Sequence, residues 1–563
     1  MERIFCKNKQ EHPEPIQAKV HGEIPSWMEG VLLRNGPGMH KIGECEYNHW
    51  FDGMALLHSF TIKNGEVFYR SKYLRSDTYN SNIEANRIVV SELGTMAYPD
   101  PCKNIFTKAF CYLSHIIPQF TDNCMINIMR NGEDYYASSE VNFIRKIDPR
   151  TLETLEKVDY SKYAAINMAT SHPHYDSAGN VLNMGTSIFN KGKTRYVIFK
   201  IPPAAPGSEA KKGKTCLKNL EVICSIPSCS LLKPSYFHSF GISENYILFI
   251  EHPFKLDILK MATAHIQGVN WASCLTFYKD DKTWIHLVDR QSKKEVSTKF
   301  YTDAMVVYHH VNAYEEDDHV ILDLISYTDN SLLDLFYLKN LNKNFENTAN
   351  KTSIPSCKRF VIPLKYEKDV AVGSNLVRLP STTASAVKEK DGSIYCQPET
   401  LCDEIELPRI NYDYNGRKYR YIFAAEMKWS PVPSQIVKFD ILTKRKLHWK
   451  EEHCWPAEPV FVPSPNAKEE DEGIILSSIV TTEPQKPPFL LILDAKTFKE
   501  IARATVNVDL HVDLHGIFIP GKDLKTDQET DEDGGHELKG CPSYKENDVP
   551  KDSLPVKKRM EDL

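Results

Sequence analysis

Phe489-Leu490-Leu491-Ile492-Leu493-Asp494-Ala495-Lys496-Thr497 sets out the architecture in miniature: an apolar run of strand length enters an Asp-x-x-Thr turn. The same turn follows a strand-like run at Asp148/Thr151, Asp289/Ser292 and Asp440/Thr443. An aspartate in the first turn position bonds the backbone two residues on, which suits it to the tip of a hairpin. Runs rich in Val, Ile, Tyr and Phe, at 196–199, 246–250 and 474–480, are bounded by Gly, Pro, Asp and Lys, and helical periodicity is scarce. Repeated hairpins predict an all-β chain, a seven-bladed β-propeller with blades of about 50–70 residues, because radial repetition leaves few exposed edges.

Two segments break the pattern. Residues 105–117 and 253–266 read as short helices with broad apolar faces, expected to join loops in a cap over the top face. They either pack on the propeller or touch a membrane and admit a lipophilic substrate. The last 43 residues, 521–563, contain no Ile, Phe or Trp and carry runs such as Asp531-Glu532-Asp533 and Lys557-Lys558-Arg559. They predict a disordered acidic and basic tail after a single domain spanning 1–520.

With 69 basic and 75 acidic residues among 563, net −6, the chain lacks the basic excess that would condense on phosphate, which argues against a nucleic-acid partner. Its charged N-terminus lacks a signal-peptide core, so a cytosolic protein is expected, and its 14 cysteines read as reduced thiols. No run approaches the roughly 20 apolar residues of a spanning helix.

Among 20 histidines, His172 with His174, His238, His309 with His310, and His511 with His515 sit at the ends of strand-like runs. From His172 the steps are 66 to His238, 71 to His309 and 206 to His515, or one blade, one blade and three. One imidazole per innermost strand would bring four to the propeller axis, where they could hold a metal. Strand side chains alternate, so His309 and His310 cannot both face inward, whereas His172 and His174, or His511 and His515, could. Gly516 favours His515, since it allows close backbone approach.

From end to end, apart from the tail, the chain resembles the vertebrate branch of the carotenoid cleavage oxygenases. The N-terminal signatures are Leu33-Arg34-Asn35-Gly36-Pro37-Gly38, Asn48-His49-Trp50-Phe51-Asp52-Gly53-Met54, Glu84-Ala85-Asn86-Arg87-Ile88 and Tyr98-Pro99-Asp100-Pro101-Cys102-Lys103. Four further segments are similar to the family's iron-binding ones: Ser171-His172-Pro173-His174, Phe237-His238-Ser239, His309-x-x-Asn312-Ala313-Tyr314-Glu315 and Leu514-His515-Gly516. Within the branch, Leu113-Ser114-His115, 300–305 and 454–459 are most similar to the members that cleave β-carotene at its central double bond.

The resemblance implies one Fe2+ per chain held by His172, His238, His309 and His515, with Glu140, Glu406 and Glu458 each fixing one ligand. Four neutral imidazoles leave a dication uncompensated, and a carboxylate accepting the distal N–H both sets the tautomer and offsets that charge. The implied partners are a carotenoid and O2, and the implied reaction is cleavage of β-carotene to two molecules of retinal. Retinoid isomerohydrolysis, eccentric 9′,10′ cleavage and a non-catalytic carotenoid-binding propeller are the alternatives. Phe51, Tyr236, Phe237, Tyr327 and Trp455 are the aromatic candidates for the substrate tunnel. A monomer with transient membrane contact is expected.

Overall fold

Asp494 accepts the Thr497 N–H at 2.6 Å and its hydroxyl at 2.7 Å, between the strands Phe489–Asp494 and Glu500–Thr505. Similar side-chain bonds hold the turns at Asp148, Asp289 and Asp440, so the sequence repeat marks real hairpin tips. The computed structural model describes residues 2–97, 120–203, 216–342, 345–367, 369–427 and 435–524. All but the last, Leu524, belong to one unit ending at Asp523.

Those residues form seven sheets of four to seven strands and two of two strands. This is the expected all-β propeller. The chain closes twice. The last strand, His515–Pro520, pairs antiparallel with Gly30–Met39, Asn35 facing His515. Lys19–Gly22 pairs with Glu500–Thr505 in another sheet. Both closures tie late strands to early ones.

Asn127–Asn131, Gly241–Ile242, Val306–Glu316, Ile405–Arg409, Cys454–Pro456 and His515–Pro520 each end their sheet. Between blades the strands bury apolar side chains such as Leu32, Phe60, Leu490 and Ile492. Each contributes about 1.5–3 kcal/mol relative to exposure. Register breaks on both sides of His310 interrupt the pairing of Val306–Glu316, the kind of irregularity that re-aims a side chain.

The second predicted helix starts later than expected. Phe254–Leu256 is a strand paired with Leu275–Phe277, and the helix runs Ile258–Gln267. Asp257 sets that boundary by accepting the Lys260 N–H at 2.9 Å, and Gly268 ends the helix at φ +66°. The helix expected at 105–117 lies outside the described residues. So does the tail from residue 525, but Gly521–Asp523 forms a turn and Asp523 pairs with Arg130 at 2.8 Å, past the predicted boundary. Among the described residues no helix is long and apolar enough to cross a membrane, and ten described cysteines are free thiols.

Candidate metal centre

His172 and His238, in connecting segments, and His309 and His515, on strands of two different sheets, meet with one ring nitrogen each within 4.8 Å of one another. Ring centroids lie 4.5 Å apart for His172 with His238 and with His515, and 4.9 Å apart for His238 with His309. The propeller brings the steps of one, one and three blades to a single point.

Each implied glutamate meets one ring. Glu140 faces His238 Nδ1, Glu406 lies 2.6 Å from His309 Nδ1, and Glu458 lies 2.8 Å from His515 Nδ1. A carboxylate only accepts, so these Nδ1 atoms carry the proton and the Nε2 lone pairs turn to the centre. There His172 Nε2 lies 2.9 Å from His238 Nε2, and His309 Nε2 lies 3.3 Å from His515 Nε2. Facing lone pairs repel unless a positive charge sits between them, so the donor set fits a bound metal ion.

The carboxylates are held in two ways. Tyr236 donates to Glu140 at 2.8 Å and Tyr327 to Glu406 at 2.9 Å, both through neutral hydroxyls. Glu458 instead receives Arg34 at 2.7 Å and Arg409 at 2.8 and 2.9 Å. Arg34 also bonds Asp513, which lies 2.8 Å from His58 Nε2. Counting Glu140, Glu406, Glu458 and Asp513 against Arg34 and Arg409, with neutral imidazoles, leaves two negative charges for a divalent ion to neutralise.

Burial governs the proton affinities. It holds His172 well below its ordinary value, helped by the neighbouring imidazoles, and takes His515 down to about 4. Burial opposes the charged form of His309 as well, yet Glu406 outweighs it and raises that imidazole. Burial would raise the Glu458 carboxyl, but Arg409, His515 and Arg34 outweigh it and hold the group well down.

An aromatic cavity reaches the cluster, lined by Phe5, Trp50, Phe51, Phe120, Trp271 and Phe336, and by His238, His309 and His515 at its inner end. Tyr236 and Tyr327 line it too, so with Phe51 three of the five aromatic candidates border this cavity. Phe237 does not line it. Tyr236 and His238 share one face of the chain, which sends Phe237 the other way into the packing with Phe249 and Tyr196. Trp455 also misses the cavity, which Pro456 and Ala457 reach, and packs against the core.

Among the remaining histidines of the pairs, His174 bonds the Phe240 carbonyl, His310 bonds Ser239, and His511 packs edge-on to His58 at 4.5 Å. Sequence reasoning missed Arg34, Arg409 and Asp513 as supports. The available signal was position alone, Arg34 inside a quoted signature and Asp513 two residues before His515. Tyr308, next to His309 and lining the cavity, was missed as well.

The description matching residues 5–520 is that of the retinal pigment epithelial membrane protein, RPE65. The chain is 72% identical over 529 residues to a β,β-carotene 15,15′-dioxygenase of Gallus gallus, covering 94% of this chain and 100% of that one. It is 65% identical to the Homo sapiens protein of the same name, over 93% and 96%. A mitochondrial carotenoid-cleaving dioxygenase of Homo sapiens is 41% identical over 91% and 89%. Among solved structures, a cobalt-substituted Synechocystis apocarotenoid oxygenase superposes with a TM-score of 0.70 at 22% identity, over 91% and 97% of the two chains, a likeness of fold. By sequence, fold and matched length, the chain belongs to the RPE65 family of carotenoid oxygenases.

Proposed function

We propose that the protein is a non-haem iron dioxygenase that holds one Fe2+ at His172, His238, His309 and His515. It cleaves all-trans β-carotene at the central 15,15′ double bond to two molecules of all-trans retinal. The observation that carries this reading is the 72% identity, across nearly the whole chain, to a relative named for that reaction. The aromatic cavity ending on the four imidazoles is what such a reaction needs.

Bound there, ferrous iron supplies the activation of dioxygen, and each half of the substrate leaves with one oxygen atom as an aldehyde. The chain does the rest. Phe51, Trp271 and Phe336 hold an almost wholly apolar polyene by dispersion and keep water out. Glu140, Glu406 and Glu458 keep the Nδ1 protons of their histidines, so the Nε2 lone pairs stay directed at the centre. The faces of Phe51, Tyr308 and Tyr327 stabilise positive charge that develops along the polyene.

Incubation of purified protein with β-carotene and O2 tests the reading. Retinal as the product supports it, and an apo-10′-carotenal assigns eccentric cleavage. Turnover of a retinyl ester without carotenoid cleavage assigns isomerohydrolysis, and purification without stoichiometric iron or any product assigns a binding propeller. We read the protein as a cytosolic monomer that touches membranes transiently to collect its apolar substrate. On the helix Ile258–Gln267, Leu259 and Ile266 are exposed while Met261 lines the cavity.

A further inference from the structure

The metal reading leaves His174 and His310, the second members of two histidine pairs, without a task. Both line a second cavity that also reaches His172, His309 and His515. The two cavities meet at the cluster and have otherwise separate linings. Tyr308 and Leu514, each just before a ligand, line the aromatic one, whereas His310, just after His309, and Ile517, two residues after His515, line the other. Only His309 and His515 among the ligands border both.

Hydrogen bonding fixes what the two spare rings offer. Ser239 gives its proton to the Tyr308 carbonyl at 2.6 Å and so accepts from His310 Nδ1 at 2.8 Å. That leaves His310 Nε2 as a buried lone pair with no hydrogen-bond partner among the described residues. His174 donates Nε2–H to the Phe240 carbonyl at 2.9 Å, which leaves its Nδ1 basic, 3.3 Å from the Tyr412 hydroxyl. Arg409 lines the same cavity, but its charge is matched by Glu458.

A hydrated dication crossing the largely apolar aromatic cavity would exchange its water for few ligands, since polar residues on the way such as Glu92, Thr121 and Asn123 are already hydrogen-bonded within the fold. The second cavity offers imidazole lone pairs on the way, and imidazole suits divalent transition metals. We propose that the second cavity is the route by which a divalent metal ion reaches the four-histidine cluster, with His310 Nε2 and His174 Nδ1 as staging ligands. This rests on the metal-site reading above. It also separates the traffic: metal enters by one cavity, the polyene by the other.

Metal uptake by chelator-stripped full-length protein, followed through the absorbance of bound Co2+, tests the route. His310→Asn keeps a donor toward Ser239 and removes Nε2, while His174→Gln keeps a donor toward Phe240 and removes Nδ1. The double variant is expected to take up Co2+ about tenfold more slowly, reaching the same one ion per chain. Filling the aromatic cavity of the wild type with β-carotene beforehand should leave its uptake rate unchanged. Should the double variant lose wild-type thermal stability, His310→Asn alone carries the test, with slowed uptake again expected. Uptake at the wild-type rate in that variant, or uptake blocked by β-carotene, overturns the route. A wild type that binds no stoichiometric Co2+ removes the metal site itself, and the route with it.

Discussion

His515 Nδ1 lies 2.8 Å from Glu458 Oε1, and both oxygens of that carboxylate are also held by arginine. The carboxylate thus fixes the ring's tautomer while two guanidiniums fix the carboxylate. Glu458→Gln removes the charge and sets an amide against two arginines. Metal affinity, measured by competition with a chelator, should fall about 10–100-fold.

Arg34 is fully buried between Glu458 and Asp513. Arg34→Met leaves both acids short of a cation, and removing one partner from a buried ion pair costs about 3–5 kcal/mol. Denaturant unfolding of the metal-loaded protein should show that loss. An Arg34→Met protein as stable as wild type would show that the network carries little of the fold's stability.

Tyr327→Phe keeps the ring in the cavity and deletes the donor to Glu406. Hydrogen bonds to charged groups contribute about 1.5–3 kcal/mol, so stability should drop by that order. Because the aromatic wall survives, KM for β-carotene should stay near wild type while metal retention weakens.

Glu451 gives the pH dependence of one surface network. The Arg503 guanidinium, together with Lys486, holds its carboxyl at about 2, against an ordinary 4.5. A depressed carboxyl contributes stability above its unfolded value and loses it as pH falls toward the folded one. Glu451→Gln should therefore lower Tm slightly at pH 7, the effect being screened at this partly exposed site. The gap to wild type should narrow below pH 4.5, as thermal unfolding across that range would show.

The propeller was legible because aspartate turns and apolar alternation are local signals, and Asp494 with Thr497 forms the turn its spacing implies. The ligand set was not legible from periodicity. His172 and His174 sit two apart, yet the first, just before the strand His174–Tyr175, joins the cluster while the second bonds Phe240. Glu406 and Glu458 lie buried, where glutamate is seldom found, and their imidazole partners are distant in sequence. Arg34 and Asp513 meet across 479 positions of chain, a pairing no local pattern encodes. Phe237 failed as a lining residue because one step along an extended chain reverses the side chain.

The most direct measurement is an anomalous difference map, at the iron absorption edge, from crystals of iron-loaded protein. One peak per chain among the Nε2 atoms of His172, His238, His309 and His515 is the predicted result. A featureless map at that point, with iron bound elsewhere on the chain, would contradict the account.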